Sequence, residues 1–175
     1  KVKRDVAEKM PSLLGSPNSP VAIGDKVTIT NYHGFCKGLL KKYGYLISDS
    51  LKKDVNLFHA IGDHDAERQW ILKAVLSTTD IQVLKEMDAS IKEARVPSGE
   101  AIQAYNQIVI QKLLPHEYIT HNAVILFVLD ILARFPEVKK FYQSYYPLIV
   151  VDEFQDTNCI AWELLKSIIS DQTQL

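Results

Sequence analysis

Leu148-Ile149-Val150-Val151-Asp152-Glu153-Phe154-Gln155-Asp156-Thr157-Asn158 is the stretch whose reading decides the fold. Its apolar opening, rich in β-branched side chains, predicts a buried strand. The run ends abruptly in two adjacent carboxylates, with a third at Asp156. Uninterrupted apolar strands belong to parallel sheets covered on both faces, and such sheets bind ligands beyond the carboxyl ends of their strands. Acidic side chains delivered there suit Mg²⁺ coordination and the activation of water beside a nucleotide phosphate. The pattern points to an ATP-hydrolysing site. On residue types alone it is also the pattern of a solvated strand end, or of an acidic N-cap for the helix that follows.

Outward from this stretch the signals are mostly helical. Downstream, residues 159–169 predict a closing helix with Ile160, Leu164, Leu165 and Ile168 packed. Upstream, the segment from about Thr120 to Phe135 is apolar almost all round, so it is expected between two layers. Pro136 stops that helix and can open the next as its first residue. Across 46–118 helices are predicted from Asp63 or Asp65 through Leu76, from Thr79 or Asp80 with Ile81, Leu84, Met87 and Ile91 inward, and from Ser98 with Ile102, Tyr105, Val109 and Leu113 inward. No strand pattern of comparable quality occurs there. Near the start, residues 1–14 predict a helix, 16–20 a loop, Lys26–Asn31 a short strand, and His33 to Tyr43 a helix. Strand, long helical excursion, strand is the pattern of an α/β sheet domain interrupted by a helical insert, or of one irregular α domain with two short strands.

Hydrophobic content of 47% and charged content of 23% are those of a globular domain, and the net charge of −1 selects no partner. The distribution is uneven. Residues 1–45 carry eight basic side chains (Lys1, Lys3, Arg4, Lys9, Lys26, Lys37, Lys41, Lys42) against three acidic ones (Asp5, Glu8, Asp25), which makes that end the place for a polyanion or simply a solvated surface. Cys36 and Cys159 have no metal-type spacing and are expected reduced, in a cytoplasmic protein. The longest apolar run, Ala123 to Leu129, is too short to span a bilayer, so no membrane is expected. His59, Asp63, His64 and Asp65 fit no standard metal spacing and read as an exposed capped loop. The chain opens without Met inside a helical pattern, and a piece of a longer protein is the expectation.

The string Val151 to Asn158 resembles motif II of the UvrD/Rep-type superfamily 1 DNA helicases, V-D-E-[FY]-Q-D-T-N, at eight consecutive positions. The resemblance implies that Asp152 holds Mg²⁺, that Glu153 is the general base for the attacking water, and that Gln155 and Asp156 couple nucleotide state to neighbouring motifs. The Gln that usually follows the motif is replaced by Ala161. Thr30-Asn31-Tyr32-His33-Gly34-Phe35 resembles the family's T-F-H-S-F element, with Tyr32, His33 and Phe35 matching and Asn31 and Gly34 at its Thr and Ser positions. That implies contacts to single-stranded DNA; an aromatic ring and an imidazole at a basic edge suit such a strand, although a packed turn is the commoner fate of a Tyr-His pair. Lys1, Ala7 and Met10 resemble the end of an N-K-A-A-x-E-M element, and His121-Asn122-Ala123-Val124-Ile125-Leu126 stands where many relatives have acidic D-F-D-D-L-L.

The resemblance implies an incomplete RecA-like P-loop NTPase domain with a parallel sheet, helix-rich overall: 1–45 and 119–175 its two parts, and 46–118 a helical insert of the 1B type. The intact protein would use ATP and Mg²⁺ to move 3′→5′ on single-stranded DNA or duplex–single-strand junctions, in a bacterial cytoplasm with the nucleoid. No G-x-x-x-x-G-K-[ST] loop occurs in the 175 residues, so the chain alone is expected to be inactive. A non-catalytic DNA- or protein-binding module, and the helicase part of a helicase–nuclease, are the alternatives.

Overall fold

A segment as uniformly apolar as 121–134 has to be enclosed by neighbours. The structure, a computed structural model, describes Thr28 and residues 30–174, and there this segment is the helix around which the others are placed. The predicted helix over 1–14, the loop at 16–20 and the body of the predicted strand Lys26–Asn31 lie outside the described residues. The chain divides into two units, Lys1–Asn31 and Tyr32–Leu175, and the elements named here all belong to the second.

In chain order these are α1 (Tyr32–Tyr43), β1 (His59–Ile61), α2 (Trp70–Lys73), α3 (Thr78–Lys92), α4 (Gly99–Ile108), β2 (Tyr118–Thr120), α5 (His121–Arg134), α6 (Pro136–Tyr145) and α7 (Cys159–Ile168). Helix α4 runs on into a π-helical turn over Val109–Leu113. From α5, the side chains of Ala123 to Val128, Ile131 and Leu132 are all buried, with α1, α4, α6 and α7 packed around them. Each large aliphatic or Phe127 enclosed this way contributes about 1.5–3 kcal/mol. Helix α1 supplies Cys36, Leu39 and Leu40 to the same core, and α7 supplies Ile160, Leu164 and Ile168.

Local chemistry sets the helix ends. Ser77 caps α3 and Asp80 returns the bond to the Ser77 backbone N–H at 2.7 Å, a reciprocal capping box that starts the helix before either predicted residue. Ser98, Thr120 and Asn158 cap α4, α5 and α7, each accepting from the backbone N–H three residues on. Pro136 is the first residue of α6, as predicted.

Three expectations are corrected. The run Leu148–Val151 is not a buried strand: Leu148 is 45% and Val150 81% exposed. A strand exists by pairing, and among the described residues this one is paired only through a bridge to Gln174, with Ile149 N donating to Gln174 O at 2.9 Å. The sheet that is present joins β1 and β2 in parallel, with Ala60 opposite Ile119. At three residues each, these strands are too short to show a period. Finally, the predicted helix from Asp63 is broken. A 3₁₀ segment over Asp63–Arg68 meets extended Gln69 before α2, and Asp63 itself is buried rather than exposed. The outcome is a helix-rich α/β chain with a small parallel sheet. No helix among the described residues is long and apolar enough to cross a membrane.

Candidate nucleotide and nucleic-acid site

The acidic loop sits between the extended run and α7, and its backbone is tightly turned. Glu153 adopts left-handed φ 51°, ψ 46°, a conformation that costs an L-residue free energy. It opens a single 3₁₀ turn over Phe154–Asp156, in which Asp156 N donates to Glu153 O at 2.9 Å and Thr157 N to Phe154 O at 3.0 Å. Asn158 then caps α7 through Ala161 N at 2.9 Å. The acidic N-cap alternative is thereby settled: the cap is Asn158, and the acids upstream of it are not used to start the helix. Ala161, the position noted after the acidic string, is 2% exposed within α7, so it faces the core.

Asp152, Glu153, Gln155 and Asp156 are all exposed. Oδ1 of Asp152 accepts from Glu153 N at 3.0 Å, and the Gln155 amide donates to Oε2 of Glu153. Among the described residues no group of three or more His, Cys, Asp or Glu side chains could hold a metal ion. Two adjacent carboxylates are nevertheless the donor set suited to Mg²⁺, which is usually held by one or two carboxylates together with substrate phosphates. The residues fit a cation that arrives with a nucleotide.

The predicted DNA-contacting residues sit on the first turn of α1 and just before it, and their rings turn inward. Tyr32, His33 and Phe35 are half-buried, while Asn31 and Gly34 are exposed. The Tyr32 hydroxyl lies 3.0 Å from Thr157 Oγ1. The His33 ring meets His121 edge-on at 5.5 Å. Burial, and then the nearby His121, hold the His33 imidazole below its ordinary range, and its Nε2 is buried without a partner among the described residues. Phe35 packs edge-on against Tyr142 and Tyr146. Thus the structure brings Tyr32 to the acidic loop, whereas His33 and Phe35 go to α5 and to the end of α6.

One polar cluster escaped the sequence reading. Tyr105 of α4 donates to Oδ1 of the buried Asp63 and also meets Thr120 Oγ1. Asn122 donates to the other Asp63 oxygen at 2.7 Å. Burial pushes Asp63 up to about 6, against the pull of these hydrogen bonds. A signal for this cluster exists in the sequence: a Tyr on the inward face of α4 requires a partner for its hydroxyl.

The sequence has known relatives along its whole length. It matches the UvrD/REP helicase N-terminal domain over residues 1–175. It is 26% identical over 186 residues to the ATP-dependent DNA helicase PcrA of Bacillus subtilis (strain 168), covering 96% of this chain and 23% of that protein. The PcrA of Staphylococcus aureus (strain NCTC 8325 / PS 47) is 21% identical over 188 residues, 97% of this chain and 24% of the relative. A 32-residue stretch is 56% identical to an ATP-dependent helicase/nuclease protein of Streptococcus sanguinis (strain SK36), 18% of this chain and 3% of that protein. No solved structure matches. The chain spans about a quarter of the length of the PcrA relatives. With its sequence matched from end to end, the chain belongs to the UvrD/REP helicase N-terminal domain family.

Proposed function

We propose that this chain is part of the motor of an ATP-dependent 3′→5′ DNA helicase or translocase, acting on single-stranded DNA or duplex–single-strand junctions in the cytoplasm. Segments 1–45 and 119–175 are read as two parts of a RecA-like domain and 46–118 as its helical insert. The packing of α1 on α5 supports the return of the chain to the first part. Asp152 is the Mg²⁺ ligand and Glu153 the general base. Gln155 holds one Glu153 oxygen and leaves the other to orient water and take its proton. Asp156 shapes the turn through its N–H to Glu153 O. Asn31, Tyr32, His33 and Phe35 form the DNA-contacting element, Asn31 being exposed and the three rings half-buried. Mg²⁺ bound with ATP supplies neutralisation of phosphate charge.

The observation that carries this reading is the exposed, strained presentation of Glu153 between Asp152 and Gln155. Exposed Glu117 shares the left-handed backbone but is paired with Lys53, whereas Glu153 stands beside a second free-standing carboxylate, Asp152, with one of its own oxygens held by Gln155. The test is ATP turnover, with and without single-stranded DNA, by a full-length protein carrying this chain. Glu153→Gln is expected to lower turnover by roughly 10²–10⁴-fold, and unchanged turnover overturns the assignment. The chain alone, which lacks a phosphate-binding loop, is expected to show none. The short match at 56% identity favours one second reading, the helicase part of a helicase–nuclease. Nuclease activity of the full-length protein would establish it.

A further inference from the structure

We propose that the Tyr32 hydroxyl is a positioning group for the acidic loop: through Thr157 it transmits the state of the first turn of α1 to Glu153. The inference rests on the functional reading above and adds a route between its two halves. Thr157 occupies a sensitive place. Its N–H closes the 3₁₀ turn that begins at Glu153, and Asn158 beside it is fixed as the cap of α7. On the α7 side the turn is further held by Phe154, whose ring meets Trp162 edge-on at 5.6 Å. On the opposite side Thr157 Oγ1 meets the Tyr32 hydroxyl at 3.0 Å, across 125 residues of chain.

Three side chains of α1's first two turns thus reach three separate segments: Tyr32 the acidic loop, His33 the start of α5, and Phe35 the aromatic end of α6. Two of these contacts are made by rings against α5 and α6: half-buried His33 on exposed His121, and half-buried Phe35 on Tyr142 and Tyr146. The Tyr32 contact differs, because it ends on a short exposed turn whose backbone is already strained at Glu153. A displacement of α1's first turn is therefore passed on where the structure yields most easily. The element that this segment resembles carries Phe at the position of Tyr32, and Phe, with no hydroxyl, cannot make this bond. A half-buried hydrogen bond between neutral hydroxyls is strong enough to bias a small loop and too weak to hold the fold, as a coupling element has to be.

The experiment uses a full-length protein that carries this chain, and reads the ratio of ATP turnover with saturating single-stranded DNA to turnover without it. Tyr32→Phe and Thr157→Val are each expected to lower that ratio roughly threefold to tenfold, and the double variant to fall no further than either alone. Thr157→Ser keeps the hydroxyl and is expected to keep the ratio, a rescue that general damage to the fold would not produce. An unchanged ratio in Tyr32→Phe overturns the proposal, as do additive losses in the double variant or an equal loss in Thr157→Ser. If the parent protein shows no DNA-stimulated turnover, the functional reading fails, and this inference falls with it. If the parent is stimulated and the variants match it, only the inference fails.

Discussion

Asp63 and Glu153 are both acids just beyond a short apolar run, yet they live in opposite conditions. Asp63 follows β1, is 3% exposed, and has its oxygens taken by Tyr105 and Asn122. Glu153 follows residues 148–151, stands in water, and has its carboxylate touched by the neighbouring Gln155. The first ties β1 to α4 and to the start of α5. The second lies exposed on a turn with a left-handed backbone. An acid beyond an apolar run can thus be used up inside the fold, as Asp63 is, or left available, as Glu153 is. Under the proposed function the wet, available carboxylate is the chemical one, and the dry carboxylate ties elements together.

The largest expected effect separates the two by assay. Glu153→Gln in a full-length protein should lower ATP turnover by roughly 10²–10⁴-fold while shifting stability by no more than about 0.5 kcal/mol. Asp63→Asn should do the reverse, leaving turnover in place and altering stability. If Glu153→Gln unfolds the protein, the contrast is broken.

Asp63 also predicts a pH dependence. Burial raises its folded value to about 6 from the ordinary 3.8. Between those values the folded state binds more protons than the unfolded one, so this group's contribution falls as pH rises. The contribution is full below about pH 4, is lost as pH passes about 6, and is flat above. Its size is on the order of 3 kcal/mol. Urea unfolding at about pH 4 and about pH 7 should show this change in the parent, and its absence in Asp63→Asn. Equal slopes in the two proteins would refute the assignment of the buried proton to Asp63.

A smaller effect tests the network around it. Tyr105→Phe removes the hydroxyl shared by Asp63 and Thr120 and should cost about 1–3 kcal/mol, because a buried acceptor is left short of a donor. The loss should be larger at about pH 7 than at about pH 4, since the charged carboxylate needs the donor more. A pH-independent loss would place the cost in packing instead.

The same contrast explains what could be read from sequence. The acidic string was legible because it is contiguous, and its residue types are those that the chemistry needs. The longer helices were legible where apolar periodicity or an all-apolar run coincided with a start signal, a cap at Ser98 and Thr120 or a proline at Pro136. The Asp63 cluster was not, since its members at 63, 105, 120 and 122 meet only when β1 pairs with β2, and those strands are too short to announce themselves. The run 148–151 misled for a related reason. Its β-branched side chains report a propensity, whereas a strand requires partners, and Gln174 alone supplies them among the described residues.

The smallest predicted effect bears on strain. Ala94 and Glu153 are both non-glycine residues in the left-handed region, at φ 56° and 51°. Ala94 has an ordinary reason: it follows the end of α3, where Arg95 N reaches back to Ser90 O at 2.8 Å and Ala94 N to Ile91 O at 3.1 Å, the helix stop that glycine usually fills. Ala94→Gly should therefore stabilise the protein by about 0.5–1 kcal/mol, the relieved backbone clash outweighing the added freedom of the unfolded chain. Glu153→Gly should give a gain of similar size in thermal unfolding, with loss of turnover. The stability change compares the strain at the two positions, while the turnover of Glu153→Gly is expected to match that of Glu153→Gln, since both remove the base. If Glu153→Gly is destabilising instead, the turn is held by the Glu153 side chain and its bond to Gln155. The left-handed backbone would then be a consequence of the carboxylate's contacts rather than the means of presenting it.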